Sequence, residues 1–398
     1  MNVLFALLLL LLSVFSNAQA RINTVDSNIF SKERMYDQIK LGKFGVGVVD
    51  TIIYDSNYTY KTNNYDGPRP YFIKIWHPIN LNQSEKYLEI KDLFTITTPL
   101  NGIEDSLATI YKKFFIQDYL SENLVDGEEL NFGVYSKHEV FDYIGKIKTR
   151  GVYEKIKNNS NFPVIIYYNG SNGHPFENFL LAEYFASRGY LFIAVSFELQ
   201  FEGMPFGMLP YDRYHSGEYE NNLILIKQFA KSISNAANIY FIGHSMGAQM
   251  GLRTFGDDKD IKGMASLETS IEFKTELEQI KDLWPEVYTK IMVEKVTYPF
   301  PILFCAATGK AQAFNFLLNT NAKSKYYLST SSEFEHNAYL SIFYLRSFLG
   351  DAFIQIDKNI IESRFSIYLK HLDFIYNFID GIENNKKSSV LSPSFIAD

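Results

Sequence analysis

Asn238-Ile239-Tyr240-Phe241-Ile242-Gly243-His244-Ser245-Met246-Gly247 is a short apolar, β-branched and aromatic run that breaks into a glycine-bounded turn. The run predicts a strand over 239–242. Ala248-Gln249-Met250-Gly251-Leu252-Arg253-Thr254-Phe255, which follows, predicts a helix over 246–255 with small residues near its start. In this strand–turn–helix the pattern G-x-S-x-G has a physical purpose. A serine hydroxyl is a weak nucleophile unless it is held clear of its own backbone, within reach of a base and beside backbone N–H groups. Gly243 and Gly247 let the strand before Ser245 and the helix after it approach closely, and the sharp turn lifts the hydroxyl to the carboxyl end of the sheet.

Working outward, the same alternation recurs. Upstream, residues 163–168 form a continuous apolar run, then comes the turn Asn169-Gly170-Ser171-Asn172-Gly173, a helical stretch over 176–187, a second apolar run over 190–195 and a helix over 219–232. Downstream, strands are expected over 262–267, 301–306 and 325–329, and closing helices over 338–349 and 357–378. Unbroken apolar strands alternating with helices describe a mostly parallel sheet covered on both faces, an α/β doubly wound architecture. Its ligand crevice lies at the carboxyl ends of the strands. Ahead of it, 44–54 and 71–76 look like an opening antiparallel pair joined by the turn-rich 57–70. Between about 80 and 162 the pattern becomes charged and helix-like, as at 106–119 and 138–157, and reads as a mostly helical insertion without an alternating strand.

The first twenty residues hold a Leu-rich run followed by Ser16-Asn17-Ala18-Gln19-Ala20, the pattern of a secretory signal peptide with a small-residue cleavage site. The expectation is an exported chain, periplasmic or secreted, with a main domain over 21–383 and a loose polar tail over 384–398. No stretch after the leader is long and apolar enough for a stable membrane span. A net charge of −7 argues against nucleic-acid binding, which favours a basic face. Cys305 is the lone cysteine, so no intramolecular disulfide forms. Aromatic residues make up 16% of the chain, enough for a large core and an apolar pocket.

A nucleophilic serine calls for a base, an orienting carboxylate and an oxyanion hole. For the acid, the strand over 262–267 ends at Glu268, on the same edge as Ser245, whereas Asp257, Asp258 and Asp260 precede that strand and fall on the opposite edge. The alternative position, after the strand ending at Ala306, offers only Ala307-Thr308-Gly309-Lys310. Glu268 is therefore the acid expected. For the base, the order Ser, acid, His leaves His336 and His371. His371 falls inside the last predicted helix, and His336 sits in a loop after the final strand, so His336 is preferred. The Met246 N–H supplies one oxyanion donor, and the loop after the strand over 163–168 supplies the other, with Ser171 preferred and Gly170 its neighbour. Asn169-Gly170-Ser171 also spells a glycosylation acceptor, but a glycan there would block the crevice.

Three pieces resemble the platelet-activating-factor acetylhydrolase and dienelactone-hydrolase-like branch of the α/β-hydrolases: Tyr167-Tyr168-Asn169-Gly170-Ser171, Gly243-His244-Ser245-Met246-Gly247-Ala248 and His336-Asn337-Ala338-Tyr339. Ile73-Lys74-Ile75-Trp76-His77-Pro78 is similar to that branch's strand before its helical insertion. The resemblance covers most of 44–378. It implies an α/β-hydrolase fold and, independently of the edge argument, an acid at Glu268, just after the strand that follows the elbow helix. This chain departs from the acetylhydrolases in carrying Glu268 where they have aspartate, and Asn169 where many have histidine.

The expectation is an exported serine hydrolase acting on a small-molecule ester or acyl substrate, without a cofactor. A peptidase or lactonase with the same triad, or a binding protein on a hydrolase scaffold, are the alternatives. His244, His174 and Phe201 are candidates for the substrate pocket, the last in an aromatic loop over 198–210. No pair of histidines or cysteines has metal-ligand spacing.

Overall fold

The computed structural model describes residues 38–61, 65–80, 86–97, 109, 112, 136–156, 161–171, 173–195, 215, 217–235, 238–307, 314–329, 334–345 and 358–386. The leader, most of the helix expected over 106–119, Phe201 with its loop, and the tail from 387 onward lie outside these residues.

The described strands are β1 (Gly45–Lys61), β2 (Asp66–Ile79), β3 (Gly151–Tyr153), β4 (Val164–Tyr168), β5 (Leu191–Val195), β6 (Ile239–His244), β7 (Ile261–Leu267), β8 (Thr297–Ala306) and β9 (Asn321–Ser329). They form one sheet in the order β3-β1-β2-β5-β4-β6-β7-β8-β9. Only β2 runs against the others: it pairs antiparallel with β1 and β5, and the pairs from β5 through β9 are parallel.

Side chains alternate across the sheet, so each strand feeds two cores. Ile165, Tyr167, Phe192 and Ile242 enter one, Ile166, Tyr168, Ile193 and Phe241 the other. This two-sided burial is why the central strands read as unbroken apolar runs. Four of the helices matter for the site: α1 (Phe179–Ala186), α2 (Glu218–Ile233), α3 (Met246–Thr254) and α4 (Lys358–Glu383). Helices α1 and α4 close the first core, and α2 and α3 the second. Leaving β4, the chain crosses to β5 on one side, then returns to β6 on the other. The loops after β4 and β6 therefore part to opposite faces, the switch point at which sheets of this kind bind their ligands.

Three expectations are corrected. The turn-rich 57–70 belongs largely to β1 and β2, whose ladder continues past an irregularity between Asp55 and Thr59. The insertion contributes a strand: β3 pairs parallel with β1 at the sheet edge, and at three residues it is too short for alternation to show. In place of one helix starting at 338, two short turns occupy His336–Tyr339 and Ser341–Tyr344. A helix at Leu277–Leu283 between β7 and β8 was not foreseen.

Candidate active site

Register brings the candidate residues to one edge. Tyr168 of β4 stands opposite Gly243 of β6, His244 opposite Leu267 of β7, and Leu267 opposite Cys305 of β8. Asn169 after β4, Ser245 after β6, Glu268 after β7 and Ala307 after β8 are where the chain turns off the sheet. Ser245 donates its N–H to the Leu267 carbonyl at 3.0 Å, and Glu268 donates its own to the Cys305 carbonyl at 2.9 Å. Both take left-handed backbone angles, with φ 51° at Ser245 and φ 51° at Glu268. Side chains with a Cβ adopt that region at an energetic cost, and such strain gathers where a side chain must be aimed.

The glycines of the elbow are sterically required. A Cβ on Gly247 would lie 2.2 Å from the Tyr168 carbonyl oxygen and 2.5 Å from that of Asn169, and one on Gly243 would lie 2.6 Å from the Ala248 backbone. The turn is thereby pressed against the end of β4. Gly170, in the loop after β4, packs closely too: a Cβ there would stand 3.0 Å from the Ser245 Cβ and 3.0 Å from His244 Nδ1. The candidate oxyanion loop and the candidate nucleophile are immediate neighbours, and Met246 begins helix α3 on the other side.

His336 Nδ1 lies 2.8 Å from Glu268 Oε1. The second carboxylate oxygen, Oε2, accepts the Ala307 N–H at 2.5 Å. The segment after β8, which carries no carboxylate of its own at 307–310, thus supplies an amide that holds Glu268 at the end of β7. Glu268 is buried and His336 is half-exposed, its side chain 31% accessible, so the ring is fixed on one side and open on the other. Its loop is anchored from α4 by the ion pair of Arg364 with Glu335 at 2.6 Å.

Among the pocket candidates, His244 is buried beneath His336. Its ring centroid is 4.7 Å from that of His336, and its Nε2 lies 3.2 Å from the His336 carbonyl oxygen. Burial, reinforced by the neighbouring His336, holds its imidazole well below the usual range and so neutral. His174 is also buried, stacked on Phe176 at 5.2 Å, and burial pushes its pKa down to about 3. Neither carries charge near neutral pH. His371, the other candidate for the base, lies inside α4 with its Nδ1 2.9 Å from the Ile367 carbonyl oxygen, and His77 lies in β2, facing the Glu154 carbonyl at 2.9 Å. Asp258 and Asp260 pair with Lys227 and Lys231 of α2, at the opposite edge.

Two buried carboxyls were missed in the sequence. Glu272 accepts the Thr269 N–H at 2.9 Å and its hydroxyl at 2.8 Å, bracing the turn that follows Glu268. Glu177, under the loop after β4, accepts the Tyr167 hydroxyl at 2.6 Å and the His174 N–H at 3.2 Å. Burial raises each to about 7. Sequence spacing carried no signal for them, because neither stands in a motif or at the end of a strand.

No family model matches the chain, and no curated protein matches it. Among solved structures, a ferulic acid esterase from Streptomyces cinnamoneus superposes with a TM-score of 0.55 at 13% identity, over 88% of this chain and 94% of that one. A dienelactone hydrolase-like promiscuous phosphotriesterase from metagenomic libraries and Est1E from Butyrivibrio proteoclasticus overlap more loosely, with TM-scores of 0.37 and 0.32 at 6% and 17% identity. They cover 83% and 54% of this chain, and 98% and 90% of their own. The sheet order and the first of these likenesses define an α/β-hydrolase fold. Likeness at such identities speaks for the fold alone.

Proposed function

We propose that the chain is an exported serine hydrolase that cleaves carboxylic esters through an acyl-enzyme, with Ser245 as nucleophile, His336 as base and Glu268 as its orienting acid. The observation that carries this reading is the 2.8 Å contact between His336 Nδ1 and Glu268 Oε1, made at the sheet edge where the strained Ser245 turn abuts Gly170. With the carboxylate accepting from Nδ1–H, the lone pair of the imidazole sits on Nε2. There it can take the Ser245 proton as the oxygen attacks the ester carbonyl. The Met246 N–H and the Ser171 N–H, with Gly170 beside it, receive the negative charge on the carbonyl oxygen. His336 then returns the proton to the departing alcohol, and water, activated by the same base, releases the acid. No cofactor takes part. The leader supports export, and no described helix is long and apolar enough to cross a membrane. The resemblance to the acetylhydrolase and dienelactone-hydrolase-like branch supports the assignment of Glu268.

The test is labelling by a fluorophosphonate together with turnover of p-nitrophenyl esters of increasing chain length. The expected result is one adduct, on Ser245, and loss of both labelling and turnover in a folded Ser245→Ala variant. Turnover retained by that variant would place the chemistry elsewhere.

A further inference from the structure

We infer that Glu177 is a positioning residue for ester hydrolysis, holding the oxyanion loop and the base loop in one geometry from beneath; the inference rests on the assignment of Ser245, Ser171 and His336 above. Glu177 lies between the loop after β4 and helix α1, and is buried. Its Oε1 accepts the Tyr167 hydroxyl from β4 at 2.6 Å, and its Oε2 accepts the His174 N–H at 3.2 Å. The Gly170 N–H is a further backbone donor that favours its charged form. Gly173 closes the same loop on its N–H bond to the Gly170 carbonyl at 3.0 Å. A Cβ on Gly173 would lie 2.4 Å from Glu177 Oε2, so the loop is wrapped on the carboxylate with no room to spare.

The same segment grips the base loop. The Glu177 carbonyl accepts the Ile342 N–H at 2.9 Å. Next to it, Asn178 donates to the Tyr339 carbonyl at 3.1 Å and accepts the Ser341 hydroxyl at 2.8 Å. These contacts lie three to six residues beyond His336. A displacement of about 1 Å in such a constellation costs on the order of a hundredfold in rate, so a single buried carboxylate bonded to one loop, on a segment bonded to the other, bears on both halves of the site.

Ionisation matters because a carboxylate can accept from all these donors at once, whereas a protonated carboxyl must itself donate. The groups facing Glu177 are the Tyr167 hydroxyl from β4, the His174 and Gly170 N–H groups of its own loop, and His336 from the base loop, whose positive charge favours the carboxylate. Tyr368 of α4 stands behind Tyr167. His174 contributes no charge. Burial is the largest influence and raises Glu177 to about 7. A general base must be free of its proton to act, and protonation of Glu177 adds a second step that lowers turnover.

The experiment measures kcat and KM for p-nitrophenyl acetate from pH 5 to 9 in the wild type, Glu177→Gln and Tyr167→Phe, with fluorophosphonate labelling of each. In the wild type the acid limb should steepen toward two protons. In Glu177→Gln it should fall off with one, and kcat at pH 8 should drop about 10- to 100-fold with KM little changed, since an amide cannot accept from every donor. Tyr167→Phe removes a donor that favours the charged form, so the Glu177 limb should move to higher pH, a shift that a purely structural role does not produce. Should Glu177→Gln fail to fold, as judged by circular dichroism, the Tyr167→Phe limb decides. A labelled, active wild type whose kcat and limb are unchanged by Glu177→Gln, or whose limb stays in place in Tyr167→Phe, overturns the positioning role alone. Absence of a Ser245 adduct in the wild type overturns the hydrolase assignment and the positioning role with it.

Discussion

Replacing Glu268 by glutamine keeps its shape and forces a choice that the structure makes costly. The carboxylate serves two donors, the His336 Nδ1–H through Oε1 and the Ala307 N–H through Oε2. A carboxamide has one accepting oxygen and one donating nitrogen. If the oxygen stays on His336, its NH2 opposes the Ala307 N–H and leaves buried donors unmatched, at roughly 1–3 kcal/mol. If it turns to Ala307, the NH2 donates to Nδ1, the imidazole proton moves to Nε2, and the base can no longer take the Ser245 proton. In either orientation the charge-assisted bond that stabilises the imidazolium is lost, roughly another 1.5–3 kcal/mol. The total, about 3–6 kcal/mol, predicts a fall in kcat of about 10²- to 10⁴-fold. Steady-state hydrolysis of p-nitrophenyl acetate measures it, with Asp258→Asn and Asp260→Asn as controls. Both controls lose only partly exposed ion pairs at the far edge and should stay within about threefold of wild type. A Glu268→Gln variant that retains activity within tenfold of the controls would refute the assignment of the acid.

Gly247→Ala would drive a methyl group into two backbone carbonyls that cannot yield, and should cost about 1–3 kcal/mol or more in urea denaturation as well as most of the activity. Gly217→Ala, where φ is +76° but nothing lies within 4 Å, should cost about 1 kcal/mol and leave activity intact; equal effects at the two positions would contradict the elbow packing described above. Glu272 tests the buried carboxyls by stability. With its pKa raised from 4.5 to about 7 by burial, the folded state holds a proton that the unfolded state has released. Wild-type stability from this group is thus present below about pH 4.5 and is lost as pH rises toward 7. Relative to wild type, Glu272→Gln should gain about 2–3 kcal/mol between pH 5 and pH 8. A stability difference that does not change with pH would show that Glu272 is not held neutral by the fold.

The frame is legible in the residues alone. Strands buried on both faces have to be apolar along their whole length, so β4 to β9 and their order along the chain were legible, whereas the helix between β7 and β8 was not. The elbow was legible for a similar reason: Gly243, Ser245 and Gly247 are a local steric requirement written in adjacent residues. Glu268 and His336 could be chosen because parallel strands carry their carboxyl ends to one edge, which is a matter of strand direction alone. What lies across that edge depends on contacts between segments far apart in the chain. β3 is three residues long and owes its existence to pairing with β1, a contact made between segments about a hundred residues apart. The Ala307 amide on Glu268 comes from a neighbouring strand and has no side-chain signature. Glu177 and Glu272 stand in no motif and at no strand end, so their places in the chain do not mark them as parts of the site. Their burial, their donors and their raised pKa values arise from groups brought together by the sheet, because desolvation is a property of everything that surrounds a group and not of the residues beside it in sequence.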